Sequence, residues 1–415
     1  MALRRAAGLG LALALAGCAL VALRDDSAAF YASTALLGRV SSPAPWRAPV
    51  VVAALRRHAD AIEVADAAQL HEIGAYELVV PRGEYTLFAF GDANGNLAYD
   101  AGEPAGEHAR GRTVAAAGGG MIPFLDIALS RQGAPAVPAG TSFAPPGAGR
   151  LRSTQAGALA RLDDDMFSAE AASRGYWAPA KFYREFGGNI LFLEPYDAAK
   201  MPVLFVHGAF GSPRNWRFLA EGLDRGRYQP WFFNYPTGAP IESLAQLLYW
   251  KLHNLQARHG FRSMAIVAHS QGGLVARRFL ADHGAALPHV RLFVSLATPW
   301  GGELLANLGV YGLPAAVPVW HDLLPGGPFL RTLFERPLQP GTEYHLMLGH
   351  RGTPPFGPDT DGAVTMESLL APAARAEARK VHVYSEDHLS VLRSEQVLVQ
   401  LGALLAHAQT AEAPR

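Results

Sequence analysis

Beyond about residue 163 the chain alternates short apolar runs with stretches of helical period, and this alternation restricts the fold more than any other feature. The runs "PVLFVHG", "YQPWFFNYP", "SMAIVAHS", "RLFVSLATP", "EYHLMLG" and "RKVHVYS" are short, bounded by turn or charged residues, and read as strands. Between them "IESLAQLLYWKLHNLQARHG" places Leu244, Leu247, Leu248, Leu252 and Leu255 on one helical face and ends at Gly260, a residue suited to close a helix. "SEQVLVQLGALLAHA" reads as a closing helix. Strands that are apolar on both sides offer water no face, so residues 163–408 are expected to form an α/β domain, a mostly parallel sheet with helices on both faces.

A length of 415 residues leaves room for more than one domain. Residues 30–130 lack long helical periodicity, apart from a short helix expected around 53–70, and show "AYELVV", "EYTLFAF" and "MIPFLDIAL" separated by glycine and proline. That texture predicts a small β-sandwich-like N-terminal domain. Residues 131–162, rich in proline, glycine and alanine, have no apolar face to bury and read as a linker. Lysine plus arginine number 36, as do aspartate plus glutamate, so no net field draws the chain to nucleic acid, and no such partner is expected.

"MALRRAAGLGLALALAGCAL" sets Arg4 and Arg5 before an apolar stretch and small residues, the layout of a secretory signal over residues 1–17. Leu15-Ala16-Gly17-Cys18 resembles the lipobox of bacterial lipoproteins, which implies that Cys18 is lipidated and that residues 18–29 are a tether. Cys18 is the only cysteine, so an exported chain of this sequence forms no internal disulfide and leaves the thiol for that use. The resemblance implies a lipid-anchored protein of the bacterial cell envelope, on the periplasmic side of the outer membrane. The same apolar run, from residue 6 to 23, also reads as an uncleaved membrane anchor.

Within "VAHSQGGLVARRF" a serine stands where an apolar run gives way to a helical pattern. A serine hydroxyl attacks an acyl carbon well only when a base takes its proton and the side chain projects into a cleft. A tight strand-to-helix turn provides the projection, and it crowds the chain so closely that residues two before and two after the serine must be small. Here the pentapeptide is Ala268-His269-Ser270-Gln271-Gly272, with alanine where the G-x-S-x-G pattern has its first glycine. The helix that follows would point its N-terminus at the reacting group and favour developing negative charge. The plain alternative is a serine that only ends a buried strand.

A second motif precedes this one. His207-Gly208-Ala209-Phe210-Gly211 matches an H-G-x-x-G loop, and with the serine turn it resembles the α/β-hydrolase fold lipases and esterases over roughly residues 165–408. The resemblance implies an oxyanion hole made by the backbone N–H of Gln271 and that of Ala209, or of Phe210 if the loop is shifted by one. Gly208 and Gly211 let the chain turn its N–H groups to the cleft. In this family the acid and then the base follow the serine, each in a loop after a strand. Asp361-Gly362-Ala363-Val364 resembles the family's D-G-x-V loop, so Asp361 is the expected acid and Asp359 a turn cap. His388 follows the strand "KVHVYS" and is the expected base, whereas His345 and His382 lie within strands and His350 precedes the acid.

"ATPWGG" is similar to the T-P-x-x-G stretch of lipases. The apolar segment "LLANLGVYGLPAAVPVW" that follows has two open readings, a lid over the acyl pocket and a plain pair of core helices. In the N-terminal region "GDANGNLAYDAGEP" carries Asp92, Asn94, Asn96, Asp100 and Glu103 at positions 1, 3, 5, 9 and 12 of a calcium-loop numbering. It resembles EF-hand and dockerin-type loops, with Leu97 where glycine is expected. A structural calcium ion, with a Kd on the order of 10⁻⁴ to 10⁻³ M, is one reading, and a polar turn bonded to its own backbone the other. No side-chain cluster has the ligand spacing of a catalytic metal, and no catalytic cofactor is expected.

The chemistry these residues predict is cleavage of carboxylic ester bonds of a lipid or other apolar acyl substrate, through an acyl-enzyme on Ser270. Two further readings use the same scaffold: an acyltransferase with the same residues, and a non-catalytic lipid- or partner-binding module.

Overall fold

The structure, a computed structural model, describes residues 19–58, 61–132, 135–145, 151, 155–352 and 357–410. The expected signal segment and Cys18 lie outside the described residues. The stretch expected as a tether is helical over 19–32. No helix among the described residues is long and apolar enough to cross a membrane.

The chain divides into two compact units, one of Met1–Ser27, Ala156–Tyr183 and Gly188–Arg415, the other of Ala28–Gln155 and Arg184–Gly187. The first contains an eight-stranded sheet. Its strands are β1 (Ala158–Leu159), β2 (Asn189–Phe192), β3 (Met201–Val206), β4 (Tyr228–Asn234), β5 (Met264–His269), β6 (Val290–Leu296), β7 (Glu343–Gly349) and β8 (Lys380–Tyr384). They lie in the order β1-β2-β4-β3-β5-β6-β7-β8, with β3 to β8 mutually parallel and β2 antiparallel to β4. The six strands read from the sequence are all present. The short β1 and β2 carry too few residues to show a period, and only pairing at the sheet edge defines them.

Every residue of β3, β4 and β5 is buried, which is why these runs show no alternation of apolar and polar side chains. Helix α1 (Ile241–His259) buries Leu244, Leu247, Leu248, Leu252 and Leu255, at about 1.5–3 kcal/mol each, and ends at Gly260 with φ 59°. Three more helices matter below: α2 (Gln271–His283), α3 (Leu304–Gly312) and α4 (Glu395–Thr410). Because β3, β5, β7 and β8 run the same way, the loops leaving their C-terminal ends emerge at one edge of the sheet. Those loops carry His207 to Gly211, Ser270, Asp361 and His388.

The other unit has a sheet in the order Ile62–Leu70, Val50–Arg57, Gly83–Gly91, Ala105–Glu107, with Val114–Ala116 also on Gly83–Gly91. A second sheet sets Thr34–Ser41 between Ala75–Val80 and Ile127–Ala128. One apolar cluster takes Leu36, Val40, Leu78 and Val80 together with Val50, Val52, Tyr85 and Leu87. The helix expected around 53–70 is absent: Val50–Arg57 and Ile62–Leu70 are antiparallel partners. Val50, Val52 and Ala54 face one apolar cluster while Val51, Ala53 and Leu55 face another, so burial on both sides hides the strand period in a segment of good helix formers. The segment expected as a linker gives Val137 and Phe143 to the second cluster, where Phe143 packs 5.2 Å from Phe90, and Gln155 accepts the His71 N–H at 2.8 Å. Two anchoring side chains in a proline-rich stretch make no face that a periodicity argument detects.

Candidate active site

Strand β5 ends at His269 and α2 begins at Gln271, leaving Ser270 as the whole turn, at φ 51° and ψ −130°. Backbone strain of this kind costs about 1–3 kcal/mol and persists where the surroundings enforce it. Here the Ser270 N–H donates to Leu296 O at 2.8 Å and its carbonyl accepts from the Gly273 N–H at 2.9 Å. The same closeness explains the small neighbours. A Cβ on Gly272 would lie 2.5 Å from the carbonyl oxygens of Val206 and His207, and one on Gly208 2.7 Å from Ser270 Cβ.

The Ser270 hydroxyl donates to His388 Nε2 at 3.0 Å, and His388 Nδ1–H donates to Asp361 Oδ2 at 2.7 Å. The Asp361 side chain is fully buried. Its other oxygen accepts the N–H groups of Ala363 at 3.0 Å and Val364 at 2.8 Å, and its carbonyl accepts the His388 N–H at 2.8 Å. Asp361 and His388 are thus tied to each other through both side chain and backbone. Asp359 pairs instead with His350 at 2.8 Å, while His345 and His382 bond each other at 3.0 Å on neighbouring strands.

In the loop after β3 the Gly211 N–H closes a turn on Gly208 O at 3.0 Å, and Phe210 takes a left-handed φ of 55°. Among the described residues no hydrogen bond engages the backbone N–H of Ala209, Phe210 or Gln271. Gln271 opens α2, so its N–H is one of the donors a helix start leaves unmet. The Gln271 side chain is turned away, its Nε2 donating to Thr237 O at 2.6 Å. His207 is buried, its ring 4.4 Å from Tyr235 and its Nδ1–H on Gly208 O at 3.1 Å, and Tyr235 Oη donates to His207 O. Burial pushes the His207 imidazole down to about 4, with the bond to Gly208 opposing, so the ring braces the loop as a neutral group.

The sequence reading missed three features. His269, the residue before the serine, donates Nε2–H to His388 O at 2.8 Å and so pins the loop carrying His388. Burial, helped by repulsion from His388, pushes it down to about 3, which keeps it a neutral donor. Glu303, just after the "ATPWGG" stretch, has its carboxyl held above the usual carboxylate range by burial. The charge of His388 opposes that shift and the charge of Asp361 adds to it, which locates Glu303 in the same electrostatic neighbourhood. Third, Tyr176, Trp177, Phe210 and Trp320 form a group of rings beside the Gly208 to Gly211 turn. Their positions come from three distant segments, and no local pattern announces them.

Helix α3, from the segment with two open readings, leaves Leu304, Leu305, Leu308 and Tyr311 exposed, while Gly309 packs on the Trp320 ring. It is not a core helix. In the calcium-like loop, Asp92 accepts the N–H groups of Asn96 at 3.1 Å and Leu97 at 3.2 Å, and Glu103 those of Ala93 at 2.8 Å and Asp100 at 3.0 Å. The Asn94 and Asn96 amides both donate to Asp100 Oδ2, at 2.8 and 2.9 Å. The five side chains converge, with their oxygens bonded to the loop itself. Among the described residues no group of three or more His, Cys, Asp or Glu side chains is arranged to hold a metal ion.

Residues 201–315 match a family model described as alpha/beta hydrolase fold, in keeping with the sheet order above. No curated protein matches the chain. Among solved structures, the chain is similar to a lipase of Bacillus licheniformis in its mature form, 22% identical, covering 52% of this chain and 94% of that one at a TM-score of 0.40. It is also similar to lipase B of Aspergillus fumigatus, at 16% identity, 53% and 56% coverage and a TM-score of 0.41.

Proposed function

We propose that this protein is a serine hydrolase that cleaves carboxylic ester bonds of lipid or other apolar acyl substrates, without a catalytic cofactor. The observation that carries the reading is the continuous chain from Asp361 through His388 to Ser270, at 2.7 and 3.0 Å, ending on a serine held at φ 51°. In this reading His388 Nε2 takes the hydroxyl proton as Ser270 Oγ bonds to the acyl carbon. The carbonyl electron pair moves to oxygen, where the N–H groups of Gln271 and of Ala209 or Phe210 receive it, each donor worth about 3–4 kcal/mol of barrier. Collapse re-forms the carbonyl and expels the alcohol, which leaves with the proton from His388. Water then attacks the acyl-enzyme with His388 as base, and the acid departs as Ser270 recovers its proton. Asp361 keeps Nδ1 protonated and stabilises the imidazolium. The exposed leucines of α3 and the half-exposed rings of Trp177 and Phe210 support an apolar substrate.

Covalent labelling by a fluorophosphonate tests the reading. Wild type is expected to label and Ser270→Ala and His388→Ala to fail; a wild type that stays unlabelled where a known serine esterase labels would favour the binding-module alternative. Product analysis with added alcohol separates hydrolysis from acyl transfer, since a transferase would yield new ester in place of acid. Two further proposals concern the rest of the chain. Cys18 is the lipid-bearing residue of an envelope anchor, and fatty-acid label retained by Cys18→Ser would overturn this. Asp92, Asn94, Asn96, Asp100 and Glu103 hold a weak structural calcium ion by exchanging loop N–H groups for the cation. A Tm that rises with millimolar calcium and falls on chelation supports that assignment, and an unchanged Tm refutes it.

A further inference from the structure

Four aromatic rings stand beside the oxyanion loop. The Phe210 ring lies on Tyr176 with centroids 3.8 Å apart and planes inclined by 30°. Trp177 meets Tyr176 edge-on at 5.2 Å and Phe210 at 5.8 Å, and Trp320 meets Trp177 edge-on at 5.9 Å. Trp320 Nε1–H donates to Tyr176 Oη at 2.6 Å, which fixes the inner pair. Tyr176 is buried, yet Phe210 is 48% and Trp177 43% exposed. Two large rings therefore keep open surface although a packed group of aromatics adjoins them. Phe210 does so from a left-handed backbone that a residue with a Cβ resists. Both adjoin the serine turn: Phe210 sits two residues past Gly208, where an added Cβ would lie 2.7 Å from Ser270 Cβ, and the Trp177 ring lies 5.8 Å from that of Phe210.

We propose that the open surfaces of Phe210 and Trp177 form a subsite for an aromatic ring of the substrate, so that the ester turned over carries an aryl group near its scissile carbonyl. This rests on the ester-hydrolase reading and narrows it. An alkyl or cyclohexyl group gains from these rings only the burial of its area. A phenyl group of the same carbon count gains in addition the offset-stacked or edge-to-face attraction between ring quadrupoles, equal to about a two- to twelvefold preference. A pocket walled by leucine would show no such difference. The group is not a box for a cation, because its rings pack on one another.

The test uses ester pairs that differ only in aromaticity: ethyl 3-phenylpropanoate against ethyl 3-cyclohexylpropanoate on the acyl side, and benzyl acetate against cyclohexylmethyl acetate on the alcohol side. Turnover of the full chain is followed by pH-stat, and binding of the same esters to Ser270→Ala by quenching of tryptophan fluorescence. The aryl member of at least one pair is expected to lead by about two- to twelvefold in kcat/KM and in Kd. In the Trp177→Leu background that ratio should fall toward one, and in Trp177→Phe most of it should return. Equal binding within both pairs, or a ratio that survives Trp177→Leu, would overturn the subsite. So would equality of both pairs alongside a preference for acetylcholine over its neutral isostere 3,3-dimethylbutyl acetate. Failure of the hydrolase reading looks different: wild type turns over neither member, while binding to Ser270→Ala still reads the ratio.

Discussion

Replacing Asp361 by asparagine tests whether the buried carboxylate sets the protonation pattern of His388. Its two oxygens have different tasks: Oδ1 accepts two backbone N–H groups, from Ala363 at 3.0 Å and Val364 at 2.8 Å, and Oδ2 accepts His388 Nδ1–H at 2.7 Å. In Asp361→Asn the amide oxygen must keep the first position, because an NH₂ there would face two N–H donors. The NH₂ then points at His388 Nδ1 and donates to it. The imidazole has to carry its proton on Nε2, the atom that should accept from Ser270. Chemistry of this kind loses about 10⁴-fold in kcat, or roughly 5 kcal/mol of barrier, with the site geometry intact. The fold should hardly notice, since both backbone bonds survive. Asp361→Ala leaves the two N–H groups without their acceptor in a buried site, at about 1–3 kcal/mol each. The assay is kcat/KM on a short chromogenic ester together with Tm for the two variants. The reasoning fails if Asp361→Asn keeps activity within tenfold of wild type, or if it is as destabilised as Asp361→Ala.

Three further outcomes follow from buried groups and close approaches. His207 and His269, pushed down to about 4 and about 3, stay neutral in the fold while their unfolded counterparts protonate below 6.5. The unfolded state then binds more protons, so stability is complete above pH 6.5 and falls as pH drops; at pH 5 each should cost about 2 kcal/mol, and urea midpoints of His269→Gln should show a shallower decline. Gly272→Ala forces a Cβ against two backbone oxygens at 2.5 Å and should lose about 1–3 kcal/mol along with fluorophosphonate labelling, whereas Gly402→Ala on α4, with nothing within 4 Å, should gain about 0.5–1 kcal/mol. Glu303→Gln removes a carboxyl whose charged form burial disfavours, so the variant's Tm should gain on that of wild type as pH rises past the usual carboxylate range; a difference that does not change with pH would refute this.

Residues whose task is local were legible. Gly272 and Gly208 announce a crowded turn because only glycine fits there, and the fully buried β3 and β5 announce a parallel sheet because they carry no polar face. The serine turn and the loop after β3 could be read for that reason, whereas the order in which Asp361 and His388 follow came from the family resemblance. Residues that act by convergence were not legible. His269 occupies a variable position of its motif, and only the path of the 388 loop turns it into a brace. Glu303, Tyr176, Trp177 and Trp320 become neighbours of the cleft through connections that sequence spacing does not encode.

The amino-acid order by itself determined the strand-and-helix texture of residues 163–408 and the residue types at the turns, because backbone sterics and one-sided or two-sided burial leave their mark within a few positions. Tertiary structure alone decided that Val50–Arg57 is a strand buried on both faces, that residues near Val137 and Phe143 are core, and which rings and charges surround Ser270. Those outcomes depend on partners brought from far along the chain, and a side chain's surroundings exist only once the sheet has assembled.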